Sequence, residues 1–97
     1  MARVLAEGRA THGKRVVVFT LPGPGAASFV AGRRVGGAVI RNRARRILRV
    51  AWRELAPRVA DGIDVALVAR QAIRGAGAHE LVAEVEELLA RAEVIRP

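Results

Sequence analysis

The sequence predicts a small α+β domain, a two-layer sandwich in which helices pack on a small mixed sheet. Three observations predict it. Residues 14–21 and 63–69 are short apolar runs rich in valine, with the length and β-branching of buried strands. Residues 38–56 and 79–92 instead repeat their apolar positions at helical spacing. All four segments fall within 97 residues, enough for one domain, residues 1–97, with one modest core.

Residues 4–7 read as the end of a short helix closed by Gly8. The run Lys14-Arg-Val-Val-Val-Phe-Thr-Leu21 reads as a strand buried on both faces. Pro22-Gly-Pro-Gly25 is a loop, since neither proline can donate to a ladder. Residues 27–31 form a second strand, and the short spacing predicts an antiparallel hairpin with the first. The glycine loop 23–28 leads into a strand rather than a helix, so it fails as a dinucleotide fingerprint and reads as a plain hairpin turn.

The segment 38–56 is the strongest element. At 100° per residue, Ile40, Ala44, Ile47, Leu48, Ala51 and Leu55 fall in an arc of roughly 100°. Asn42, Arg45, Arg46, Arg49 and Arg53 take the opposite side, with Arg41 and Arg43 on the flanks. Pro57 stops the helix. Gly36 and Gly37 precede it without a capping side chain, leaving backbone N–H groups for water or a phosphate. A strand at 63–69 follows Asp61-Gly62. The last helix, 79–92, sets Leu81, Val82, Val85, Leu88 and Leu89 on one face and turns Glu80, Glu84 and Glu87 away from it.

Composition narrows the function. Hydrophobic residues make up 52% of the chain but aromatics only 3%, so the core is aliphatic. With no cysteine, disulfides and thiolate metal sites are excluded. The longest uncharged run, 16–32, is broken by prolines and glycines, so neither a membrane span nor a signal segment is expected. A cytoplasmic protein with no membrane partner is the expectation, and no protein partner is inferred.

Charge is the most informative feature. Residues 9–58 carry twelve basic groups against one acid, Glu54, a balance of +11; residues 59–97 carry four against seven, a balance of −3. A solvated helix face normally interleaves signs, because like charges at i,i+4 destabilise it. Here Arg41–Arg45, Arg45–Arg49 and Arg49–Arg53 are all like-charged pairs at that spacing. The pattern points to a phosphate-binding surface, extended by Arg33 and Arg34 before the helix and by Lys14 and Arg15 at the head of the first long strand.

Independent catalysis is not expected. The chain has one serine, two isolated histidines and no convergent carboxylates on its basic half. Glu84, Glu86 and Glu87 read as a solvated face. Phe19 lies in a strand between basic segments and reads first as core, with a stacking platform for an unpaired base as the alternative.

The segment Gly32-Arg-Arg-Val-Gly-Gly-Ala-Val-Ile-Arg-Asn-Arg-Ala-Arg-Arg-Ile-Leu-Arg49 closely resembles the signature of the bacterial ribonuclease P protein subunit. The valine strand, the strand at 63–69 and the leucine-rich end are similar to that family as well. The resemblance implies the order α-β-β-β-α-β-α with a left-handed β-α-β crossover, a ribosomal protein S5 domain 2-like fold. It further implies a protein that binds a catalytic RNA subunit and the 5′ leader of precursor tRNA, with Mg²⁺ held through the RNA and no cofactor on protein side chains.

By position, Arg41, Asn42, Arg43, Arg46 and Arg49 match the motif that meets the RNA subunit, with Arg45 beside them. Arg33 and Arg34 match the basic pair before the helix, and Phe19 an aromatic of the leader cleft. Family members begin with a longer basic segment bearing aromatics, so the N-terminal segment is expected to be truncated. The alternatives are a generic RNA-binding or ribosome-associated module without a role in cleavage, and a nucleoid-type DNA-binding protein.

Overall fold

Valines 16–18 combine β-branching with a complete lack of helical periodicity, and they open the strand at the middle of the sheet. A computed structural model describes residues 2–96. Its elements are α1 (Ala2–Glu7), β1 (Arg9–His12), β2 (Val16–Pro22), β3 (Ala27–Ala31), α2 (Ala38–Leu55), β4 (Ile63–Ala69) and α3 (Ala78–Arg91). Single 3₁₀ turns occupy Arg33–Val35, Ala56–Arg58 and Gln71–Ile73. This is the α+β order that the resemblance implied. No helix among the described residues is long and apolar enough to cross a membrane.

The four strands lie in the order β1-β2-β4-β3. β2 pairs antiparallel with β1 on one side and with β4 on the other, the latter running from Val16 opposite Ala69 to Pro22 opposite Ile63. Both edges of β2 are therefore filled, and the expected hairpin between β2 and β3 does not form. β3 instead pairs parallel with the outer edge of β4.

The segment between β2 and β3 crosses the end of β4 and is fastened there. Asp64 Oδ1 accepts the N–H groups of Gly25 and Ala26, each at 2.8 Å, and Gly23 N–H donates to the Gly62 carbonyl at 2.9 Å. A Cβ on Gly23 would collide with the Asp64 carboxylate, so this approach requires glycine. Strand β1 was legible only through the family order. Of its four residues only Thr11 is buried, too little to mark a strand by alternation.

Strand alternation assigns the two faces. Val16, Val18, Val65, Leu67, Ala69 and Ala31 share one cluster with Ala44, Leu48, Ala51 and Leu55 of α2 and with Leu81, Val85, Leu88 and Leu89 of α3. Each large aliphatic side chain fully buried there contributes roughly 1.5–3 kcal/mol before entropy is counted. Val17 and Ala66 are buried on the opposite face, apart from that cluster, where α1 covers part of β2 and β4 with Val4. As the crossover between the parallel neighbours β3 and β4, α2 is fixed against the sheet and turns its charged side outward.

Candidate nucleic-acid interface

The apolar stripe of α2 decides where its arginines go. Ala44, Ile47, Leu48, Ala51 and Leu55 are buried and Ile40 is half-buried, as the periodicity predicts. Gly37 caps the helix without a side-chain hydrogen bond, and the chain leaves it through the 3₁₀ turn that contains Pro57. Gly36, at φ 149, sits where a Cβ would press on Ile40, so glycine sets the angle between the Arg33–Val35 turn and the helix.

The described residues form four ion pairs, Arg3–Glu7, Arg15–Glu80, Arg15–Glu84 and Arg58–Glu86. None involves an arginine of α2 or of the turn before it. Arg46 and Arg53 point outward with no hydrogen bond or ion pair among the described residues, as do Arg33, Arg34 and Lys14.

The other arginines of α2 are held without being neutralised. Arg45 donates to Asn42 Oδ1 and, at 3.5 Å, to the Ala31 carbonyl. Arg49 lies over the Phe29 ring, 5.5 Å from its centroid, a cation–π contact that orients the guanidinium and keeps its charge. Arg43 reaches the Ala76 carbonyl at 3.2 Å. Arg41 is half-buried, and its Nε is sealed from solvent with no partner among the described residues. One flank of α2 is thus tied to β3 and the other to the loop before α3, and the outermost ridge is left bare.

Beside the helix, Lys14, Arg33, Arg34 and Arg70 rim an open groove of about 780 Å³ whose walls include Val30, Val35 and Val68. Val30 and Val68 lie opposite each other in the sheet, on the face that also carries Phe19. Phe19 is half-buried and stands outside the groove lining, so it is neither wholly core nor part of this basic rim.

Arg15 differs from the expectation. Its guanidinium is taken up by Glu80 and Glu84, both at 3.2 Å, so it does not join the unpaired cations. Glu84 was read as solvated, yet its side chain is only 12% exposed. Its carboxylate also accepts the backbone N–H groups of Arg15, at 2.7 Å, and Val16, at 3.1 Å. Glu86 is likewise paired, with Arg58 at 2.6 Å. Helical spacing placed these acids away from the apolar stripe but said nothing of a turn some seventy residues earlier meeting them. Among the described residues no group of three or more His, Asp or Glu gathers as a metal site.

Fold and surface together define a class: a small α+β domain whose crossover helix carries a cationic face that the domain itself does not compensate. The ribonuclease P family profile matches residues 2–93. The ribonuclease P protein component of Symbiobacterium thermophilum is 42% identical over 97 residues, spanning 96% of this chain and 84% of that relative. That of Acidothermus cellulolyticus is 39% identical over 94 residues, spanning 91% and 78%. Among solved structures, the RNase P protein from Thermotoga maritima matches with a TM-score of 0.78 at 21% identity, over 93% of this chain and 88% of that one. The Staphylococcus aureus RNase P protein matches with a TM-score of 0.79 at 20% identity, over 98% and 90%. The chain belongs to the ribonuclease P protein family.

Proposed function

We propose that this chain is the RNA-binding protein subunit of a cytoplasmic ribonuclease P. It binds the catalytic RNA subunit through the outer side of α2 and the Arg33–Arg34 turn. It steadies the single-stranded 5′ leader of precursor tRNA on the side of the sheet that carries Phe19, and so assists Mg²⁺-dependent endonucleolytic removal of that leader. The observation that carries this reading is the row of arginines without carboxylate partners on α2, in a chain that does pair Arg15 and Arg58 with its own glutamates.

Bond breaking falls to the RNA in this reading. The basic half of the chain offers one acid, Glu54, where a protein-held metal would need several converging oxygens. Mg²⁺ therefore belongs to the RNA. The protein's part is electrostatic: two polyanions repel, and a cationic face between them lowers the concentration of metal needed to hold them together. Lys14, Arg33, Arg34, Arg41, Arg43, Arg45, Arg46 and Arg49 with Asn42 form the contact surface. Arg15 serves the fold.

Adding the protein to a ribonuclease P RNA transcript is expected to restore cleavage of precursor tRNA at a Mg²⁺ concentration where the RNA alone is inactive. RNA binding without stimulation would identify a generic RNA-binding module and overturn the proposal. Equal affinity for duplex DNA in a competition titration would do the same. Arg46→Ala is expected to reduce the slope of log K against log salt by about one, the share of one phosphate contact.

A further inference from the structure

Among the described residues two large hydrophobic side chains are exposed, Val39 at 82% and Val50 at 39%, and both lie on α2. They are eleven positions apart, which on a helix returns to the same side within about 20° and separates them by about 16 Å along the axis. Arg43 and Arg46 fall between them on that side, at i+4 and i+7 from Val39. Val39, Arg46 and Val50 thus set two methyl-bearing side chains and one unpartnered guanidinium along a line of α2, with Arg43, which donates to the Ala76 carbonyl, beside them.

Neighbouring structure does not explain the two valines. Gly37, two residues before Val39, has open space where a Cβ would be. The domain buries valines in its core and in its central strands. Pure phosphate binding would be served better by further charged or small residues, because a β-branched side chain weakens an exposed helix and gives a phosphate nothing to bond.

We propose that the Val39–Arg43–Arg46–Val50 ridge is the line of closest approach to folded RNA, with the valines seated against ribose edges while the arginines hold the flanking phosphates. This rests on the RNA-binding reading above and adds to it what sets the register. A structured RNA presents a wide, shallow groove lined by riboses, which accepts a helix ridge and offers carbon as well as hydroxyl surface. Phosphate contacts alone let a cationic helix slide, because one phosphate resembles the next. Two short, stiff β-branched side chains about 16 Å apart cannot reach out to follow a displaced surface, so they add a shape requirement that long flexible guanidinium side chains do not impose. RNA is favoured over a protein partner because arginines without carboxylate partners occupy the same ridge and no acid appears on α2 before Glu54.

The test is a salt titration of the full chain against a ribonuclease P RNA transcript, comparing Val39→Thr and Val39→Ala with the parent and with Arg46→Ala. Val39→Thr keeps the shape and exchanges a methyl for a hydroxyl. It is expected to weaken binding by about fivefold at every salt concentration and to leave the slope unchanged, with Val39→Ala weaker by about tenfold. Arg46→Ala changes the slope instead. Affinity of both Val39 variants within twofold of the parent, with an unchanged melting curve, would overturn the ridge proposal and leave RNA binding standing. A salt-insensitive or undetectable interaction of the parent would overturn the RNA reading itself. Unchanged RNA affinity with a smaller sedimentation coefficient of the free protein would assign Val39 to a self-association surface.

Discussion

Glu84 shows how one side chain can set local structure over a long sequence distance. It accepts two backbone N–H groups at the start of β2 and pairs with Arg15, so it fixes the β1–β2 turn to α3. Gly13 belongs to the same arrangement, since a Cβ there would press on Glu84 and Leu88. Glu84→Ala leaves two donors without an acceptor and Arg15 without the more buried of its two carboxylate partners, and is expected to cost about 1–3 kcal/mol in urea unfolding. Glu84→Gln keeps one acceptor oxygen and should lose less. A cost below about 0.5 kcal/mol for the alanine variant would mean that water replaces the carboxylate freely. Nothing in the sequence marked this residue, because the glutamates of α3 share one helical spacing and only the fold distinguishes those that meet another chain segment. The pairing of Arg15 was illegible for the same reason: charge is visible in a sequence, whereas its neutralisation by a distant partner is not.

At the scale of elements, periodicity located α2, β4 and α3 to within a residue or two, and the buried stripe of α2 matches the expected one. Periodicity carries no information about which edge a strand will occupy, and there the hairpin expectation failed. Short loop length favoured pairing β3 with β2, but seven ladder positions between β2 and β4 outweighed it. For α2, packing and charge act in opposite senses. Leu48 is fully buried, and Leu48→Ala is expected to destabilise the domain by about 2–5 kcal/mol by chemical denaturation. Arg46→Glu should do the reverse in the free protein. It sets a carboxylate three residues from both Arg43 and Arg49, adding roughly 0.2–0.5 kcal/mol for each pair, while RNA affinity falls. Loss of both stability and affinity would show that Arg46 has a structural duty the contacts do not reveal.

For the whole molecule, the asymmetry of +11 over residues 9–58 against −3 over residues 59–97 was legible from the start. The fold keeps most of that positive charge on α2 and the turn before it, while glutamates of α3 take up Arg15 and Arg58. The like charges of α2 and the turn before it repel one another in the free domain. Raising the ionic strength from about 0.01 M to about 1 M contracts the screening length from about 30 Å to about 3 Å. The melting temperature should rise as it contracts, and a flat or falling curve would show that the arginines do not burden the fold. The order of the strands has a consequence for synthesis. The middle seam of the sheet joins Val16 to Ala69, so it stays open until the whole crossover has been made. Between the synthesis of Arg53 and that of Ala69 the nascent chain carries every one of its α2 guanidinium groups while the apolar stripe of that helix has no complete β4 to pack on. Any polyanion within reach, including the translating ribosome's own RNA, meets this helix before the rest of the domain does.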